Sequence, residues 1–153
     1  MSHHFSILGD FNAKVVITHE EKDPSGPRHH ASTATSSNHF KSLDDKLKLL
    51  SLSMALKIAD IGHAFSPFPV HTKWSLLLQD EYYRQGREEL KLGLEPSMLK
   101  HPEKPSVADK DNQAAFFDVI VLPTLRTWVK VFKRSGKVLL TQAEENLRLW
   151  RES

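Results

Sequence analysis

An aspartate near the end of an apolar run is the first residue in this sequence whose type and place call for chemistry. In "LKLLSLSMALKIADIGHAF" (47 to 65) Asp60 has almost nothing polar around it except Lys57. An ionised carboxylate in such a setting needs a cation or a metal ion beside it. The residues alone leave two readings open: a helix-end acid paired with a nearby Lys or Arg, or a metal ligand. There is no cysteine, so thiolate zinc sites, disulfides and cysteine nucleophiles are excluded and any metal must use His, Asp or Glu. His3, His4, His29, His30 and His39 are candidates by type, but a Ser/Thr/Pro-rich tract offers the last three no fixed geometry. Gln113 and Phe116 in "DNQAAFF" lie one helical turn apart and can face one pocket.

The elements that must position these residues read as helices. Phe5, Ile7, Leu8, Phe11, Val15 and Val16 recur at helical spacing and predict a helix to about Glu20. Residues 22 to 41 follow, rich in Pro, Gly, Ser, Thr and His; with almost no large apolar side chain to bury, they read as a flexible surface insertion. "SLDD" reads as a helix start, with Ser42 as cap and Asp45 near the positive end of the dipole. Leu43, Leu47, Leu50, Met54, Ile58 and Ile61 form one stripe, and Leu52, Leu56 and Ala59 off it predict a helix buried nearly all round.

Gly62, Pro67 and Pro69 break that helix. The next runs from about Val70 to Gln85, with Val70, Trp74, Leu77, Leu78, Glu81 and Tyr82 on one side and Gly86 as its end. A connector over 86 to 106 leads to one or two buried helices that Pro123 kinks or divides. "SGK" (135 to 137) reads as a turn, and Thr141 with Glu144 as a capping box opening a last helix. Trp74, Trp128 and Trp150 read as core. No clean alternation marks a surface strand, and no glycine-rich phosphate loop occurs. The expected class is all-α.

At 153 residues the chain suits one domain. A net charge of +2, with bases and acids interleaved, argues against a nucleic-acid partner. The first residues do not read as a signal peptide, and no stretch approaches the roughly 20 apolar residues that span a bilayer. The expected location is intracellular; membrane attachment of a longer parent stays open.

Four blocks, "ALKIADIGHA", "KWSLLLQDEYYRQG", "PSVADKDNQAAFFDVIVLP" and "ENLRLW", together resemble, in order and spacing, the class I 3',5'-cyclic-nucleotide phosphodiesterase catalytic domain. The resemblance implies an all-helical fold, a pocket for cAMP or cGMP, and two divalent metal ions, zinc plus magnesium, which polarise the phosphodiester and supply the nucleophile. It places Asp60 as a metal ligand in an A-D-[IL]-[SG]-[NH] motif, Gln113 as the purine-binding amide, Phe116 as the ring that stacks on the base and Leu78 as the opposite wall. Glu81 and Tyr82 match a segment that supports the pocket wall. His63 stands where the family often has asparagine near the nucleotide, and His71 where it often has tyrosine, which leaves the choice of nucleotide open.

The family's H-N-x-x-H and H-D blocks, which hold its remaining metal ligands and its general-acid histidine, are not in this sequence. "MSHHF" resembles a motif downstream of both. The implied reading is a partial catalytic domain, its C-terminal portion begun at an internal Met, inactive alone and lacking an N-terminal half as partner. The alternative is a truncated, non-catalytic helical module that binds a partner or a nucleotide.

Overall fold

A computed structural model describes residues 2–16, 43–97 and 99–153. The expected insertion at 22–41, the Ser42 cap and the end of the first predicted helix lie outside the described residues. Among those described, all regular structure is helical: α1 (Ser2–Asp10) running into a π-helical turn (Phe11–Val16), α2 (Asp45–Asp60), a 3-10 turn (Gly62–Phe65), α3 (Phe68–Lys91), α4 (Lys110–Phe116), a second π turn (Phe117–Val121), α5 (Leu122–Val131) and α6 (Lys133–Glu152). They divide into two compact units, Met1–Gly62 with Pro123–Leu140 and His63–Leu122 with Thr141–Ser153.

In the first unit α2 starts two residues later than "SLDD" implied. Asp44 is the cap, accepting from the Leu47 N–H at 2.8 Å, and Asp45 and Lys57 sit at the ends that the helix dipole favours. The stripe of Leu43, Met54 and Ile58 is buried as expected, with Ser51 on it donating to Leu47 O. The rest of the helix is not buried. Leu49, Leu52 and Leu56 are 66%, 58% and 64% exposed; their spacing makes a second apolar stripe, and apolar content cannot itself say whether a face is covered. Phe11, Val15, Leu125 and Val131 complete the core, with the Phe11 and Trp128 rings stacked at 5.7 Å and Trp128 on Phe132 at 4.1 Å.

The expected turn at "SGK" is helix instead. The chain breaks at Phe132, and Gly136 donates to Phe132 O inside the first turn of α6. A Cβ on Gly136 would lie 2.7 Å from Val129 Cγ2 and 2.9 Å from Trp128 Cδ1, so this glycine serves close packing. Thr141 consequently falls mid-helix and caps nothing. Pro123 follows the π turn, where the Leu122 N–H reaches back five residues to Phe117 O. A widened turn absorbs the proline without dividing the run.

In the second unit α3 passes through Gly86 and ends at Lys91, with Gly93 at φ +73 just beyond it. Gly86 is buried because a Cβ there would stand 1.8 Å from the Lys100 carbonyl oxygen. Its buried face carries His71, Ser75 and Gly86, with Leu78 and Tyr82 half-buried in the same stripe. The expected face was one residue off, since Val70, Trp74 and Leu77 are exposed, Trp74 by 57%. Two polar residues, His71 and Ser75, disguised the true one. Asp109 caps α4, accepting from Asp111 N and Asn112 N, and Phe117, Val121, Leu147 and Trp150 are buried. No described helix is long and apolar enough to cross a membrane.

Gly86→Ala is expected to destabilise the chain by about 2 kcal/mol or more, the scale of an overpacked core. Gly9→Ala, in α1 where nothing lies within 4 Å of an added Cβ, should raise stability by up to about 1 kcal/mol. Chemical denaturation of both variants checks the pair.

Candidate functional site

A cavity of about 150 Å³ opens in the second unit. α3 supplies Leu78 and Tyr82 to its wall, the following connector Leu99 and Val107, α4 Asn112, Gln113 and Phe116, and the 3-10 turn His63. Each wall is tied down. Asn146, buried on α6, donates through Nδ2 to Ala64 O at 2.8 Å and Ser66 O at 2.9 Å, which fixes the turn carrying His63. Gln79 Oε1 accepts from Ala108 N, and Asn112 Nδ2 donates to Ser106 O. Ser106 Oγ donates to Leu99 O, holding a residue whose φ of 74° is unfavourable for leucine.

Gln113 is the polar centre of this wall. It is buried, and its Nε2 donates to Val107 O at 2.6 Å. A carbonyl can only accept, so the amide is oriented with its oxygen the other way. That oxygen, Oε1, is buried without a hydrogen-bond partner, an arrangement costing about 1–3 kcal/mol. Gln113 also lines the cavity, so an unpaired acceptor belongs to its wall, closed to water in the ligand-free chain. Beside it the Phe116 and His63 rings lie nearly parallel, 4° apart in plane with centroids 6.2 Å apart. At this volume, below the roughly 300–1,000 Å³ of a whole-ligand pocket, the cavity suits a single flat ring system.

His71 stands behind His63. Its ring is fully buried among Phe68, Phe117 and Trp150, with Nδ1 3.1 Å from His63 Nδ1 and Nε2 accepting from Trp150 Nε1–H at 2.8 Å. Burial drives its pKa down to about 4 and the neighbouring His63 pushes the same way. Gln113 and the His63 backbone oppose this; the amide lies near enough to favour the charged ring although Oε1 makes no hydrogen bond. Burial also lowers His63. Both rings are neutral at pH 7.

Of the residues singled out in the sequence, Gln113, Phe116, Leu78 and His63 line one cavity, with His71 packed against His63. Glu81, expected in the pocket wall, is exposed; it lines a separate groove of about 490 Å³ with Arg84, Gln85, Arg87 and Glu88. Tyr82 is in the cavity wall as expected. Asp60 lies in the first unit, at the end of α2. It is not a buried charge: the carboxylate is 58% exposed and faces Lys57 Nζ at 3.6 Å. No group of three His, Asp or Glu among the described residues is placed to hold one metal ion. Sequence reasoning missed Leu99, Val107 and Asn112, whose types carry no signal, and took Trp150 for plain core; Asn146 and Trp150 both stand in the "ENLRLW" block.

The 3'5'-cyclic nucleotide phosphodiesterase family matches residues 1–143. The chain belongs to this family. It is 32% identical over 156 aligned residues, covering 100% of the chain and 20% of the relative, to the probable 3',5'-cyclic-AMP phosphodiesterase pde-4 of Caenorhabditis elegans. It is 38% identical over 95 residues, 62% of the chain and 17% of the relative, to the dual specificity calcium/calmodulin-dependent 3',5'-cyclic nucleotide phosphodiesterase 1B of Mus musculus. A Drosophila melanogaster dual specificity phosphodiesterase 1 is 34% identical over 99 residues, 58% of the chain and 12% of the relative. The chain thus spans about a fifth or less of the length of these phosphodiesterases.

The depressed His71 gives a sign to the acid stability of this phosphodiesterase chain. The unfolded ring takes a proton near pH 6.5 and the folded one near 4, so the unfolded state binds more protons between those values. Stability is expected to be full above pH 6.5 and to fall by about 3 kcal/mol as pH drops to about 4. His71→Gln should remove most of that slope, read from denaturation midpoints across the range.

Proposed function

We propose that this chain is the base-binding portion of a 3',5'-cyclic-nucleotide phosphodiesterase catalytic domain, and that the parent enzyme hydrolyses cAMP, cGMP or both to the 5'-monophosphate. The observation that carries the reading is the orphan Gln113 Oε1 in a cavity walled by Phe116, Leu78 and His63, within a chain of this family. A purine edge offers the N–H that this oxygen needs, and the flat base takes the space between Phe116 and Leu78, with ring stacking adding about 0.5–1.5 kcal/mol. His63 and His71 form the side of the same subsite.

The family resemblance implies divalent metals, zinc and magnesium, with Asp60 as one ligand. Its exposed carboxylate is available for that role. One carboxylate does not make a catalytic metal site, which takes at least three protein ligands, and the described residues supply no such group. No catalytic step is therefore assigned to these residues, and the chain alone is expected to be inactive.

A second reading, a non-catalytic interaction module, is favoured by two exposed apolar stripes: Leu49, Leu52 and Leu56 on α2, and Val70, Trp74 and Leu77 on α3. Exposed faces of this kind favour association.

The base-binding reading predicts that calorimetry detects cAMP or cGMP binding to the chain, weakened about tenfold or more by Gln113→Ala and by Phe116→Ala, while Asp60→Ala leaves base affinity unchanged. Assays with zinc and magnesium should show no hydrolysis. Turnover that Asp60→Ala abolishes would contradict the expected inactivity; association without any nucleotide binding would favour the module.

A further inference from the structure

The exposed side of α3 carries a pattern that its buried side does not explain. Lys73, Trp74, Leu77, Asp80, Glu81 and Arg84 follow one another along the face opposite His71, Ser75 and Gly86, and all six are exposed. Trp74 and Leu77 stand 57% and 52% in water, with Val70 one turn earlier on the same face. On other helices exposed charges are answered within the chain, Lys48 by Asp45 and Arg148 by Glu145 and Glu152. Among the described residues Lys73, Asp80, Glu81 and Arg84 make no ion pair. This face is therefore apolar at its centre and flanked by charges that the chain itself leaves unanswered.

We propose that this face docks a second copy of the chain, the two α3 helices pairing antiparallel about a two-fold axis at Leu77. The order of the charges argues for that occupant. Residues seven apart return to the same side of a helix after two turns, so Lys73 and Asp80 share one flank of the face, and Trp74 and Glu81 the other. An antiparallel copy exchanges the members of each pair. Lys73 then meets Asp80 of the second copy, and the Trp74 indole N–H, which can only donate, meets the carboxylate of its Glu81. Both contacts occur twice, as an isologous interface requires. Leu77 meets its own counterpart at the axis, and Val70 packs on the aliphatic stem of Arg84. A parallel copy would bring Lys73 level with Lys73 and Asp80 level with Asp80, losing this complementarity. The exposed leucines of α2 do not offer the same match, because Asp45 and Asp60 stand at the two ends of that helix, and an antiparallel copy would set acid against acid. From Val70 to Arg84 the face is about 21 Å long. That is a small interface, suited to a reversible dimer in the micromolar range. It stands independently of the base-binding reading, whose cavity takes Leu78 and Tyr82 from α3 and none of these residues.

Sedimentation equilibrium of the whole chain, from low to high micromolar concentration, tests the proposal. A monomer–dimer equilibrium is expected. Lys73→Asp and Asp80→Lys each set like charges opposite one another twice, so each should weaken the dimer about tenfold or more, and the double variant should recover most of the lost affinity. Leu77→Asp, which puts two carboxylates at the axis, should leave monomer alone, while Leu52→Ser on α2 should change nothing. The substituted side chains are all exposed, and circular dichroism checks that each variant keeps its helices. A chain that stays monomeric throughout the range, a dimer indifferent to Leu77→Asp, or single charge variants that the double variant does not rescue overturns the proposal. A dimer lost in Leu52→Ser overturns it too, by placing the contact on α2.

Discussion

A histidine buried among aromatic rings is placed at least cost with both ring nitrogens satisfied, because each unpaired polar atom out of water costs about 1–3 kcal/mol. His71 meets this demand with Trp150 on one side and His63 on the other, and the second unit is arranged around that need. The last helix must reach α3 at Trp150, and it does so while Asn146, one turn earlier, takes the carbonyls of the 3-10 turn. The turn in its turn places His63 against Phe116. The polar skeleton and the cavity wall are therefore the same set of contacts. Disturbing Trp150 or Asn146 would be felt in the cavity although neither lines it.

Much of this was legible in the sequence. The all-α class followed from periodicity, and the buried stripe of Leu43, Met54 and Ile58 followed from spacing. Four of the five substrate-site residues named from the family blocks meet in one cavity. What was not legible has physical causes. Gly86 and Gly136 look like helix ends, since glycine ends helices; here each is needed inside a helix because another segment comes too close for a Cβ. Pro123 looks like a break, but a π turn ahead of it removes the conflict. The buried face of α3 was misjudged by one residue because its two key positions, His71 and Ser75, are polar.

Asp60 shows the limit of composition most clearly. Its neighbours in sequence are apolar, which implied a buried charge needing a cation or a metal; the carboxylate is instead exposed, and it faces Lys57, the nearby base that one of the two readings expected. Leu49, Leu52 and Leu56 on the same helix are exposed as well. Helical sequence fixes which residues share a face and says nothing of what covers it. Asp60 stays a metal-ligand candidate through the family motif it stands in, and the proposed base subsite does not depend on it.

The central claim is that the small cavity of the second unit is a purine subsite centred on Gln113. A crystal structure of the chain soaked with cAMP tests it most directly. The base should lie between Phe116 and Leu78, with a ring or exocyclic N–H on Gln113 Oε1. A base found in the charged groove beside Arg84 and Arg87, or a cavity still closed at saturating nucleotide, would contradict the account.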